Sequence, residues 1–250
     1  QPLGSDTQGV FVLNKFSLAA LISLALGILN WVWLVRCFKE TLPVEKRASV
    51  DAPKPAIFQI GRVSNTAVRK TCLSYLFYMI SFSGMEFTIT FLAVERFDYN
   101  PSDIAEMLLL IGFTLILAQG FFVRRFVGPL GEKNLALIGI LIGIIAFGMI
   151  SFFHEESWFY ISLFLMSTGV AFISPTLTAL TSLHSKETDQ GFHLGVFRSS
   201  GSMARACGPL LAGLVCFAFG SSFAYLLGAV FLLIPALFLL SVPQPDLKRR

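Results

Sequence analysis

The chain is built from long apolar blocks separated by short charged stretches, near residues 16–36, 72–94, 104–123, 134–153, 157–183, 192–219 and 222–241. Each block supplies the roughly 20 residues that an α-helix needs to cross a hydrocarbon core about 30 Å thick. The pattern therefore predicts an all-α integral membrane protein with seven transmembrane helices. It argues against a transmembrane barrel, whose strands alternate apolar and polar residues over about ten positions. Composition agrees, since 55% of the 250 residues are hydrophobic and only 14% are charged, unlike a soluble domain.

Lysine and arginine sort by loop. Arg36, Lys39, Lys46, Arg47, Lys54, Arg62, Arg69 and Lys70 lie between the first two blocks. Arg124, Arg125 and Lys133, then Lys186, then Lys248 to Arg250 follow in alternate connections, and the intervening loops hold only Arg96. The positive-inside rule then makes residues 1–15 non-cytosolic, and puts the 37–71 segment and the C-terminus in the cytosol. Pro43, Pro53 and Pro55 stand among the charges of that segment, which reads as a central linker. This sorting accounts for the net charge of +4 with a lipid bilayer as partner and no nucleic acid. Whether the membrane is plasma or intracellular is left open. The polar start without Met, ahead of a first span that lacks signal-peptide features, reads as a piece of a longer chain.

Enzymatic chemistry finds no footing. There is no phosphate-binding glycine loop, no Ser-His-Asp arrangement, and His154, His184 and His193 are too scattered for a metal site. Cys37, Cys72, Cys207 and Cys216 lie in spans or at their cytosolic ends and read as free thiols. No cofactor or metal is expected, and the protein is expected not to be an enzyme.

Two ionisable residues lie deep within the apolar blocks. A charge near the bilayer centre costs about 2.5 to 3.5 kcal/mol on insertion scales, so one that is present is expected to face protein or water and to mark a pathway. Arg205 lies about 13 residues into its span and Glu86 about 14 into its own, which at about 1.5 Å per residue puts both near the midplane. Ser83 and Thr90 share a helical face with Glu86 by their spacing. Arg205 either binds an anion through its two-point guanidinium fork or holds Glu86 in a gating pair. Arg198 is near enough to the cytosolic end to snorkel. Gly201, Ala204, Gly208 and Ala212 recur at three- and four-residue spacing, a face that admits close helix packing, with Pro209 as a bending element. Packing is the first reading of that face; rocking between two halves is its functional version. Ser174, Thr178 and Thr181 form a hydroxyl stripe around Pro175, and Gln119 is an uncharged polar candidate. Phe82 and Phe172 are aromatic candidates among 26 phenylalanines.

Four stretches carry a family resemblance. Phe38-Lys39-Glu40-Thr41-Leu42-Pro43 resembles the signature closing the sixth helix of drug–proton antiporters. Ser83-Gly84-Met85-Glu86-Phe87-Thr88 resembles the seventh helix of a narrower animal subgroup. Gln119 to Arg125, followed by Gly131-Glu132-Lys133, resembles the loop motif after the eighth helix. Arg198 to Gly213 is similar to the eleventh helix of that subgroup. Together these make the chain similar to the major facilitator superfamily from its sixth helix to its twelfth, within the tetracycline-transporter-like subgroup of animals. In the loop motif the usual acidic residue is replaced by Arg124, so no salt-bridge latch is carried over there.

The resemblance implies a trailing sixth helix (16–36), the 37–71 linker, and a six-helix C-terminal bundle over 72–250 with three-plus-three inverted repeats. It implies a secondary active or facilitative transporter of small organic solutes, organic anions or drug-like amphipaths, working by alternating access with possible proton coupling. Glu86, Arg205, Ser83, Thr90, Gln119, Ser174 and Thr178 are then pathway residues; Gly201, Ala204, Gly208, Pro209, Arg124 and Arg125 serve packing and gating. The missing N-terminal half of the same protein is the implied partner. The alternatives are a seven-helix receptor and a transporter-like scaffold that moves nothing.

Overall fold

The computed structural model describes residues 15–39 and 59–245. The polar start, most of the predicted linker, the end of the Phe38–Pro43 motif and the basic C-terminus lie outside the described residues. The chain divides into two compact units, 1–53 and 54–250. In the first, helix α1 spans Lys15–Cys37, with Arg36 in its last turn, where a cation complements the helix dipole.

The second unit is all-helical. Helix α2 (Thr66–Phe97) starts at Asn65, whose side chain accepts from the amides of Ala67 and Val68, the orphan donors of a first turn. The Asn65 amide also donates to the carbonyl of His184 at 2.7 Å. Helix α2 stops at Asp98 in the left-handed conformation, φ 57°. Helix α3 (Pro101–Leu117) opens with a capping box between Asn100 and Asp103 and with proline at its start. It runs into a π-helix at Ala118–Val123 and on into α4 (Arg124–Phe152), which is broken internally at Gly131, φ 76° and ψ 164°. Helices α5 (Glu156–Leu183) and α6 (Gln190–Phe219) contain Pro175 and Pro209. After Gly220, α7 (Ser221–Phe231) and α8 (Leu233–Leu240) follow, separated by Leu232. Pro235 has no N–H to offer the carbonyl of Phe231, which explains that break.

Among the described residues six helical stretches are long and apolar enough to cross a membrane, where the sequence pattern predicts seven spans. The difference lies in Pro101–Phe152, a single run of 52 residues. The predicted loop 124–133 is mostly helix: the π-helix passes the chain straight into Arg124 and Arg125, and only Gly131 leaves helical geometry.

Two helix pairs dominate the packing, α2 with α6 and α4 with α5; α7 lies on α4 and α8 on α2. Glycine sets both seams. A Cβ on Gly139 would come within 2.8 Å of the Gly169 carbonyl oxygen, and one on Gly169 within 2.7 Å of the Gly139 oxygen. These backbones approach as only side-chain-free positions allow.

Basic residues fasten the helix ends. Lys133 donates to the carbonyl of Leu240 at 2.8 Å and Lys70 to that of Ser241 at 3.4 Å. At the opposite end Arg96 donates to the carbonyls of Ile150 (2.7 Å) and Phe153 (3.3 Å) and to Ser222 Oγ (3.1 Å). Helix α2 and the part of α4 after Gly131 therefore begin where α8 ends, and finish where α7 begins.

Candidate functional site

The α2–α6 seam positions the site. Tyr75 packs where Gly201 lacks a Cβ, Ser83 donates to the carbonyl of Ala204 at 3.2 Å, and a Cβ on Gly84 would come within 2.9 Å of the Gly208 oxygen. Residue numbers rise together along both helices, so the two run in the same direction. Tyr75 opposite Gly201 and Gly84 opposite Gly208 set Glu86 five to seven residues beyond the level of Arg205, roughly 8 to 10 Å along the helix axes.

The seam takes up two groups of the expected residues. The small face of α6 (Gly201, Ala204, Gly208) is buried against α2 within its own unit. Spacing marks where a helix can be approached and says nothing of which helix approaches. Ser83, expected on the pathway face with Glu86, is 4% exposed and its hydroxyl is engaged in the seam.

Glu86 and Arg205 are both exposed, and Thr90 is partly so. No hydrogen bond or ion pair joins Glu86 to Arg205 among the described residues. Arg205 continues an accessible stripe of α6 through Arg198 and Ser202; the Ser202 hydroxyl donates to the Arg198 carbonyl at 3.2 Å. Pro209 lies four residues after Arg205 and has no N–H to give its carbonyl. Charge and a freed acceptor thus coincide on one turn.

On α5, Ser174 and Thr178 are partly exposed, and the Thr178 hydroxyl donates to the Ser174 carbonyl at 2.8 Å. Thr181 is buried and bonded to Leu177, so the predicted stripe divides. Gln119 is exposed and lies inside the π-helix, a distortion frequent at functional sites. Arg124 and Arg125 are exposed on the first turn of α4. Phe172 is core, 6% exposed beside Ala118 and Leu135. The three histidines bond to helix-end partners, His184 to Leu180, His154 to Phe152 and His193 to Ser185 at 2.8 Å. All four cysteines are free, and no metal-binding cluster occurs among the described residues.

Sequence reasoning missed Tyr78. It is 3% exposed, and its hydroxyl is the one buried side-chain polar atom without a hydrogen-bond partner among the described residues. Its ring stacks on Phe82, centroids 5.9 Å apart and 11° between planes. Tyr78, Phe82 and Glu86 are spaced by four and grade from buried through half-buried to exposed. That spacing was the available signal.

A separate cavity of about 420 Å³ lies between α2, α4, α6 and α7, lined by Ile80, Met85, Leu211, Leu214, Tyr225 and Phe231 among others. Its hydroxyls are paired, Thr88 with Tyr225 at 3.2 Å, and neither Glu86 nor Arg205 borders it.

A family model described as Major Facilitator Superfamily matches residues 11–188 and 130–250. Major facilitator superfamily domain-containing protein 10 of Mus musculus is 28% identical over 244 residues, covering 90% of this chain and 53% of that protein; its Homo sapiens counterpart is 30% identical over 235 residues, covering 85% and 51%. The class B tetracycline resistance protein of Escherichia coli is 23% identical over 205 residues, covering 81% and 49%. The crystal structure of the human organic anion transporter MFSD10 (TETRAN) superposes with a TM-score of 0.80 at 25% identity, covering 90% of this chain and 57% of that one. The chain spans about half the length of the curated relatives it matches.

Proposed function

The chain belongs to the major facilitator superfamily, and from that premise we propose that it is the C-terminal portion of a secondary transporter that moves small organic anions by alternating access. Membership sets aside the receptor alternative. The observation that carries the reading is the pair Glu86 and Arg205: opposite charges within the spans of two adjacent helices, both accessible and not joined to each other. A structural ion pair would be closed, whereas an accessible guanidinium in an apolar setting is available to a carboxylate or sulfonate. A human protein of similar fold is named an organic anion transporter, which supports the same substrate class.

In this reading α1 is the sixth crossing and the second unit supplies the remaining six. A 52-residue run of helix, about 78 Å at 1.5 Å per residue, is more than twice a hydrocarbon core, so Gly131 divides two crossings. The crossings then fall into three-plus-three inverted repeats. Lys70 and Lys133 mark the cytosolic end and Arg96 the opposite one, which makes the C-terminus cytosolic. Glu86 handles the coupling proton, and the N-terminal half of the same protein completes the pathway across from Glu86, Arg205, Gln119 and Ser174. Uptake of a radiolabelled aryl carboxylate by the full-length protein in proteoliposomes, with and without a pH gradient, tests the reading. Absence of flux for any organic anion would favour the scaffold.

A further inference from the structure

A buried hydroxyl without a partner costs about 1 to 3 kcal/mol, and native proteins hold very few. Tyr78 holds one on the same stripe as Glu86, and the contact of Tyr75 with Gly201 sets it at about the level of Arg205 on the neighbouring helix. Solvent does not answer it. The void that Tyr78 and Phe82 border is about 10 Å³ and is otherwise walled by Gly143, Phe147, Met166, Gly169, Val170, Ile173 and Leu232, whereas a buried water takes two to four polar partners. A phenol in such a place has one thing to give, its proton, and needs only a single acceptor brought by a larger molecule.

Resting on the organic-anion reading above, we propose that Tyr78 is a substrate-binding residue whose hydroxyl donates a hydrogen bond to the carboxylate or sulfonate that Arg205 attracts, and that the Phe82 ring receives the flat apolar body of the same molecule. The three groups occur in the order such a ligand requires. Arg205 supplies charge from α6, Tyr78 supplies a directed donor from α2, and Phe82, half-buried and stacked on Tyr78, supplies an aromatic face. The substrates selected are aromatic monoanions. In the present conformation the hydroxyl is covered, so the bond forms when α2 and α5 part during the transport cycle.

The test is initial-rate uptake of radiolabelled 1-naphthoate by full-length protein in proteoliposomes, comparing wild type with Tyr78→Phe, alongside thermal unfolding of both. Removing a buried hydroxyl that bonds nothing in the protein relieves its desolvation cost and raises the melting temperature or leaves it unchanged, so impaired transport reports on the ligand. The expected result is a KM raised about tenfold with the maximal rate within twofold of wild type. An unchanged KM in Tyr78→Phe, with wild type active, overturns this inference and leaves the organic-anion reading standing. A lowered melting temperature together with reduced maximal rate also overturns it, by making the hydroxyl structural. No naphthoate uptake by wild type overturns this inference, and no uptake of any organic anion overturns both. Phe82→Leu, which removes the flat face and keeps bulk, is expected to raise KM for 1-naphthoate several-fold more than for cyclohexanecarboxylate; equal effects on the two would remove Phe82 from the site.

Discussion

Ser83 Oγ lies 3.2 Å from the carbonyl oxygen of Ala204. That contact ties α2 to α6 three residues before Glu86 on one helix and one before Arg205 on the other. It requires the near absence of side chains around it, because a Cβ on Gly208 would collide with Ser83 Oγ and come within 2.6 Å of the Ile80 carbonyl oxygen.

Gly208→Ala is therefore expected to destabilise the protein by about 1 to 3 kcal/mol, the range for overpacking a close-packed contact. Gly112→Ala, at a position with nothing within 4 Å, is expected to be neutral or slightly stabilising because it removes a flexible residue from a helix. Thermal unfolding of the two variants in the same detergent checks the contrast; equal melting temperatures would contradict the seam.

Ser83→Ala is expected to lose about 1 kcal/mol of stability, a typical net hydrogen bond, with substrate KM unchanged. A change in KM would return Ser83 to the pathway. The apolar blocks, the two mid-span charges and the small-residue face of α6 could all be read from spacing, because burial in lipid imposes length and close packing imposes small residues. Partners could not. Ser83 and Glu86 are separated by only about 60° of arc on an ideal helix, too little for periodicity to tell a seam from an open face, and the structure places the boundary between them. The π-helix at Ala118–Val123 also left no trace in the sequence, and so the expected loop around Arg124 proved to be helix. Tyr78 was hidden because an aromatic residue in an apolar block reads as packing until its hydroxyl is found without a partner.

Arg96 was the exception to the charge pattern. Its three hydrogen bonds, to Ile150, Phe153 and Ser222, show why it is kept: it fastens the ends of α2, α4 and α7. Arg96→Ala is expected to lower stability by about 2 kcal/mol. Arg96→Lys is expected to recover less than half of that, since an ammonium lacks the fork that reaches several acceptors at once. Thermal unfolding distinguishes these, and full rescue by lysine would show that charge alone suffices.

Glu86→Gln preserves size and hydrogen bonding while removing the titratable proton. Uptake by this variant is expected to lose its response to an imposed pH gradient while retaining measurable flux at fixed pH. An unaltered response would assign proton coupling to another residue.

The central claim is that Arg205, accessible at mid-span and not joined to Glu86, binds the transported anion. Initial uptake of 1-naphthoate by full-length Arg205→Ala, normalised to protein in the proteoliposome membrane and compared with wild type, tests it most directly. The account predicts a loss of at least tenfold at equal protein. Wild-type flux in Arg205→Ala would contradict it.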